Sequence, residues 1–143
     1  MNGEARIGWS YWIVSLLSLL WNAFGCFDYY MTQTRNAAYL ANFPPDVIAF
    51  IDSLPGWVHG AWAVGVWGSL LGSILLLLRS RWAVAAFGLS LLGLAASQIH
   101  QLLAGMPASM TTPAMLAMQA FIWIVLLFLI WYAQWARAKA ILR

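Results

Sequence analysis

Leu75-Leu76-Leu77-Leu78-Arg79-Ser80-Arg81-Trp82-Ala83-Val84-Ala85-Ala86 is the stretch that decides the fold. Three polar residues interrupt an apolar run that resumes at once, which leaves room for a tight turn and nothing larger. The apolar arms reach back to about residue 56 and forward to about residue 104. Each exceeds the roughly 20 residues that cover a ~30 Å hydrocarbon core at ~1.5 Å per helical residue. The stretch therefore reads as two membrane-spanning helices, 56–78 and 83–104, folded into an antiparallel hairpin. Similar runs at 9–31 and 114–134 flank it. Gly105, Met106, Pro107 and the segment from Ser109 to Pro113 separate the third run from the fourth with residues that break helices. The expectation is an all-α, polytopic membrane protein: one domain over 1–143, four spans in an antiparallel bundle.

Composition agrees with that reading. Hydrophobic residues make up 64% of the chain and charged residues 8%, far below the quarter or so typical of soluble domains. A net charge of +3 with no basic stripe excludes a nucleic-acid partner. The single cysteine, Cys26, excludes an internal disulfide, Cys-x-x-Cys redox chemistry and a thiolate zinc site. Arg6, the first apolar run and Ala23-Phe24-Gly25 also fit the pattern of a cleaved signal peptide, but the run is long for one and reads as a retained helix.

Basic residues set the expected orientation. Arg6, Arg79, Arg81, Arg137, Lys139 and Arg143 fall on one side of the spans, and Arg35 falls alone on the other. By the positive-inside rule both termini are cytoplasmic. Trp9, Trp12, Trp82, Trp131 and Trp135 then stand at the inner interface and Trp57 at the outer one. Trp21, Trp67 and Trp123 fall near mid-membrane, where they either fill space between helices or form the walls of a ligand pocket.

Loop one, 32–55, is the long one. Its first part has no breaker before Phe43-Pro44-Pro45-Asp46, so helix one is expected to run on towards Leu40. Pro45 and Asp46 then suit the first turn of a short amphipathic helix on the outer membrane surface, which Pro55-Gly56 ends. In the hairpin, Ala61, Gly65, Ser69 and Ser73 recur at four-residue steps with Gly68 and Gly72 beside them, facing Ala86, Ser90, Gly93 and Ser97. Small residues at this spacing let helix backbones approach closely.

Polar residues inside spans are costly, so their positions carry the functional reading. Asp28 of helix one, His59 of helix two, Gln98, His100 and Gln101 of helix three and Gln119 of helix four fall in the half predicted to be outer, with Asn22 of helix one deeper, near the middle. The other half holds only hydroxyls. Asp28, Thr32 and Arg35 share one face if helix one continues. They form either an interface charge pair or a receiver for an anionic or hydroxylated ligand.

Three readings follow. His59 and His100, at matching depth, could ligate a haem b. Transport of a small polar solute would need a homo-oligomer, because four spans without a repeat cannot form two alternating halves. A binding or accessory role, engaging lipid, a quinone or a larger membrane complex, requires no chemistry that the sequence lacks, and it stands first. No cofactor is expected under it. An enzyme is not expected, since no nucleophile–base set and no paired catalytic carboxylates occur.

The segment Asp28-Tyr29-Tyr30-Met31-Thr32-Gln33-Thr34-Arg35-Asn36 with Ala38-Tyr39-Leu40 resembles part of small uncharacterised bacterial four-span membrane proteins. Trp62-Ala63-Val64-Gly65-Val66-Trp67-Gly68 and the leucine run into Arg79-Ser80-Arg81-Trp82-Ala83-Val84 are similar to the same group. Its members are sometimes labelled sugar-transporter-like. The resemblance covers spans one and two and implies a bacterial inner-membrane protein, with no catalytic residues to carry over.

Overall fold

Residues 7–143 are described in a computed structural model of the chain. Arg6, one of the residues used for orientation, lies outside them. Helices account for nearly all the regular structure: α1 (Trp9–Gln33), α2 (Ala37–Leu40), α3 (Pro45–Ser53), α4 (Gly56–Leu77), α5 (Trp82–Ala104) and α6 (Pro113–Ala138), with a 3-10 turn at Ala108–Met110. Among the described residues there is no strand. Helices α1, α4, α5 and α6 are each long and apolar enough to cross a membrane.

Local chemistry fixes the ends. Pro113 occupies the first turn of α6, and Thr112 caps it by accepting a hydrogen bond from the Met115 amide at 3.3 Å. The C-termini of α1, α4 and α6 close in one way. Arg35, Arg79 and Ala140 take φ of 54°, 57° and 59°, and the next amide in each case reaches back five residues, as Ser80 N does to Leu75 O at 2.8 Å. This left-handed closure satisfies carbonyls at the helix ends that have no partner within the helix.

That closure corrects the expected extension of helix one. The helix stops at Gln33, Arg35 turns the chain, and the Asn36 side chain accepts from Tyr39 N to start the separate α2. Asp28 and Arg35 consequently do not share a helical face. At the other end of the chain α6 continues four residues past Gln134, because nothing breaks the helix before Lys139.

Helices α4 and α5 pack most closely. A Cβ placed on Gly93 would lie 2.6 Å from the Ala61 carbonyl oxygen and 2.7 Å from Gly65 N, while Gly68 faces Ser90 and Gly72 faces the Phe87 ring. The reversed order of these pairs makes the two helices antiparallel. Helix α1 packs on the other side of α4, and α6 on α5. The α4–α5 turn and the chain's last residues meet at one end, called here the terminal end. There Arg81 N donates to Arg143 O (2.9 Å), Arg143 N to Arg79 O (2.8 Å) and Arg79 Nε to Ile141 O (3.1 Å). Ile141 and Leu142 join a core of Tyr11, Leu76, Ala83, Phe87, Leu126, Leu129, Tyr132, Ala133 and Ala136.

Apolar packing is thus concentrated towards the terminal end. Helix α6 is the peripheral member: 11% of its apolar window is buried, against 28% for α1 and 33% for each of α4 and α5.

Candidate binding cavity

Helix α1 buries Tyr11, Ser15, Ser18, Asn22 and Cys26 at steps of three and four, a single stripe turned towards α4. Four of the five carry hydroxyl or amide groups, and all but the Ser15 hydroxyl, which has no partner among the described residues, find partners inside the protein. Tyr11 donates its hydroxyl to Leu76 O. Ser18 Oγ donates to Ser15 O (2.8 Å) and lies 3.0 Å from Ser73 Oγ, whose hydroxyl is free to donate to it, and Asn22 Nδ2 donates to Ser73 Oγ (2.7 Å) and Ser69 O (3.1 Å). The chain of contacts crosses to α5, where Ser69 Oγ and Ser90 Oγ are 2.6 Å apart and Ser90 Oγ donates to Gly65 O at 2.5 Å. Cys26 Sγ donates to Val66 O at 3.3 Å. One polar ladder therefore ties α1 to α4 and α4 to α5.

Beside this ladder, on the loop-end side of the apolar core, the four long helices enclose a cavity of about 580 Å³. Its back wall carries Asn22, Ser69, Ser90 and Ser97, all buried. Its front is made by Trp21 and Phe24 of α1 and Met118, Ile122 and Val125 of α6. The glycines Gly25 and Gly65 contribute no side chains to fill it. Helices α1 and α6 share no extended backbone contact, and Trp21 bridges them edge-on to Phe121, with ring centroids 5.1 Å apart. Phe24, Met118 and Ile122 are exposed, so the cavity opens sideways between α1 and α6. Asn22 Oδ1 has no hydrogen-bond partner among the described residues, although both donor contacts of its amide are made.

At the loop end Asp28 and Tyr39 border the cavity, and the Tyr39 hydroxyl donates to Asp28. Tyr39 is also packed edge-on against Phe27 and Phe43, so α2 folds over the cavity rim. Burial, with the neighbouring Asp28 carboxylate, pushes the Tyr39 hydroxyl up to about 12 from the ordinary 10.0. A raised folded-state value means that this contact stabilises fully below pH 10 and is lost as pH climbs from 10 towards 12. The tyrosinate absorbance of wild type minus that of Tyr39→Phe is expected to rise with a midpoint near 12. A midpoint at 10 would show that the rim contact does not form in solution.

The rest of the loop is held by contacts outside the cavity. Arg35 forms a bidentate pair with Asp52 (2.5 and 2.9 Å), and Asp46 Oδ2 accepts from Ser109 N at 3.3 Å. The Arg35 guanidinium holds the Asp52 carboxyl below its usual range and is itself raised, and the Ser109 hydrogen bond lowers Asp46. Both carboxylates support the loop above about pH 4, and that support fades as pH falls through their depressed values.

The sequence-derived site residues therefore divide. Asn22, Asp28 and Trp21 line the cavity, and Ser69, Ser90 and Gly65, expected only to pack helices, line it too. Arg35 is spent on Asp52 at the surface. Thr32 is buried behind the rim with its hydroxyl oxygen unpartnered among the described residues. His59 lies between α1 and α3: Gln33 Nε2 is 2.8 Å from its Nδ1, and its Nε2 donates to Ile51 O at 3.1 Å. Both ring nitrogens are engaged, leaving none for an axial haem ligand. His100 packs instead against the Trp57 ring, with centroids 5.1 Å apart. Gln98 donates to Gln119 (3.4 Å) and Gln119 to Met110 O (3.3 Å), which ties α5, α6 and the 3-10 turn together, while Gln101 donates to Ser97 (2.9 Å) within α5.

Trp67 and Trp123 are not cavity walls. Trp67 is 47% exposed, because it lies two residues from Gly65 and Ser69 and so projects away from the face that carries them. Sequence reasoning missed Tyr39, Phe24 and Ser97 as lining residues. The serine spacing was a usable signal for the ladder, whereas α2 reaches the rim only because the chain turns back at Arg35.

No known protein family, curated protein or solved structure matches the chain.

Proposed function

We propose that the chain is a non-catalytic membrane protein that binds an amphipathic molecule in the cavity between α1 and α6. In this reading it lies in a bacterial inner membrane with both termini cytoplasmic. The loop end, capped by α2 and α3, faces outward. The cavity carries the proposal: about 580 Å³, within the ~300–1,000 Å³ usual for small-molecule sites, with apolar walls and a few convergent polar groups. Its lateral mouth suits entry from lipid. The ligand's apolar body would lie against Trp21, Phe24, Met118 and Ile122, while a donor group would reach Asn22 Oδ1 or Asp28.

Solute transport is less well supported. A path across the bundle would have to open the half filled by Tyr11, Phe87, Leu129 and Tyr132. An accessory role in a larger assembly fits the peripheral α6, whose Leu116, Ile124, Leu127 and Trp131 are exposed along its length. Co-purification with other membrane proteins in mild detergent supports that role, and recovery only as a free monomer counts against it.

Gly25→Leu provides the test. A Cβ at Gly25 meets only Val66 side-chain atoms, at 3.7 and 4.0 Å, so the backbone tolerates it while the longer side chain occupies the cavity. Mass spectrometry of solvent extracts should find a co-purifying amphiphile with wild type and not with Gly25→Leu, at equal yield of folded protein. Equal amphiphile content in both proteins would contradict the reading.

A further inference from the structure

Charge is distributed unevenly over the molecule. The described acids, Asp28, Asp46 and Asp52, are all at the loop end, engaged with Tyr39, Ser109 and Arg35. The terminal end carries Arg79, Arg81, Arg137, Lys139 and Arg143 and, among the described residues, no acidic side chain. Arg79 is pinned by its bond to Ile141 O. Arg81 and Arg137 have no carboxylate partner among the described residues, and Arg81 of the α4–α5 turn and Arg137 of α6 both line a second pocket of about 280 Å³.

The other walls of this pocket are Trp82, Val84 and Ala85, and the surface it presents is almost wholly apolar, so the two arginines border it mainly with their hydrocarbon stems. The Arg81 guanidinium carbon stands 5.9 Å from the centre of the Trp82 ring, a cation–π contact that holds it beside the opening. Trp82 is the first residue of α5, the level at which a spanning helix enters the headgroup region. Planar guanidiniums are suited to phosphate because they donate in a fixed fork. Two of them over an apolar groove match a phosphodiester joined to acyl chains better than they match a free anion.

We infer that Arg81, Arg137 and Trp82 form a headgroup site for an anionic phospholipid, with the phosphate between the two guanidiniums and an acyl chain along Val84 and Ala85. The site is at the opposite end from the cavity between α1 and α6 and does not depend on it. Basic side chains at a membrane surface contribute about 1 kcal/mol each towards anionic lipid, so Arg81→Gln and Arg137→Gln should each weaken binding about fivefold. Both arginines are exposed and make no side-chain hydrogen bond among the described residues, so neither change threatens the fold.

The experiment is lipid titration of the detergent-solubilised full chain, followed by native mass spectrometry and thermal melting. Phosphatidylglycerol is expected to bind and to raise the melting temperature. Phosphatidylcholine and inorganic phosphate at equal concentration are expected to do neither. The double variant Arg81→Gln/Arg137→Gln should lose about 25-fold in apparent affinity for phosphatidylglycerol if the two effects add, and Lys139→Gln should change it little. Equal response to phosphatidylcholine would overturn the proposal, and so would binding undiminished in the double variant. An equal loss in Lys139→Gln would replace the site with diffuse charge attraction. A response to inorganic phosphate matching that to phosphatidylglycerol would make it a soluble-anion site and overturn the lipid assignment.

Discussion

Gly93→Ala is expected to force α4 and α5 apart and to cost about 3 kcal/mol, the upper end of what overpacking usually costs. The added Cβ would stand 2.6 Å from the Ala61 carbonyl oxygen, 2.7 Å from Gly65 N and 2.9 Å from Val64 Cβ. Two of these atoms are backbone, so no rotamer change relieves the clash and the helices themselves must move. Gly72→Ala meets the Phe87 ring at 2.6–2.9 Å. That ring is fully buried and can yield only by disturbing the core, so about 2 kcal/mol is expected. Gly68→Ala, at 3.3 Å from Ser90, needs a shift of a few tenths of an ångström. Gly65→Ala makes contacts of 3.4–3.7 Å, and the better helix propensity of alanine leaves it neutral or stabilising by up to ~1 kcal/mol. Equilibrium unfolding of the four variants in mixed micelles should give that order. A flat series would mean that the hairpin is not packed this closely.

Asn22→Leu should act in two ways. It removes the donations to Ser73 Oγ and Ser69 O, and polar bonds between membrane helices are worth about 0.6 kcal/mol on average and up to ~1.7, so a loss of about 1–2 kcal/mol is expected. It also removes the free acceptor on the cavity wall, so the co-purifying amphiphile should be lost as well. Gly25→Leu separates the two effects: the amphiphile is lost while stability is kept. Were Asn22→Leu destabilised yet still loaded with amphiphile, Asn22 would be a packing residue alone.

Much of this arrangement is legible in the residues, for reasons that differ along the chain. The four long helices follow from apolar length, since nothing else can be done with twenty apolar residues in succession. The hairpin follows from Arg79-Ser80-Arg81, because three residues allow only an antiparallel return. The glycines of α4 and α5 announce close approach. The cavity was only half legible. Asn22 and Asp28 mark it because a polar group inside a span needs a reason. Depth alone, however, grouped His59, His100, Gln98, Gln101 and Gln119 with them, whereas helix rotation sends those side chains to other partners. Rotation depends on packing, which single-helix periodicity does not reveal. Tyr39 could not be placed at all, since its position depends on a left-handed turn at Arg35, and arginine carries no signal for one. The mouth between α1 and α6 was invisible for another reason: it is a gap between two helices that meet through ring contacts such as Trp21 on Phe121 and Tyr11 on Tyr132.

The most direct measurement is an electron-density map of the protein crystallised from a lipidic mesophase. The cavity between α1 and α6 is expected to hold continuous, elongated density that passes Trp21 and Phe24 and ends within hydrogen-bonding distance of Asn22 or Asp28. A cavity closed by Trp21, Phe24 and Met118, with no room for a ligand, would contradict the proposed function.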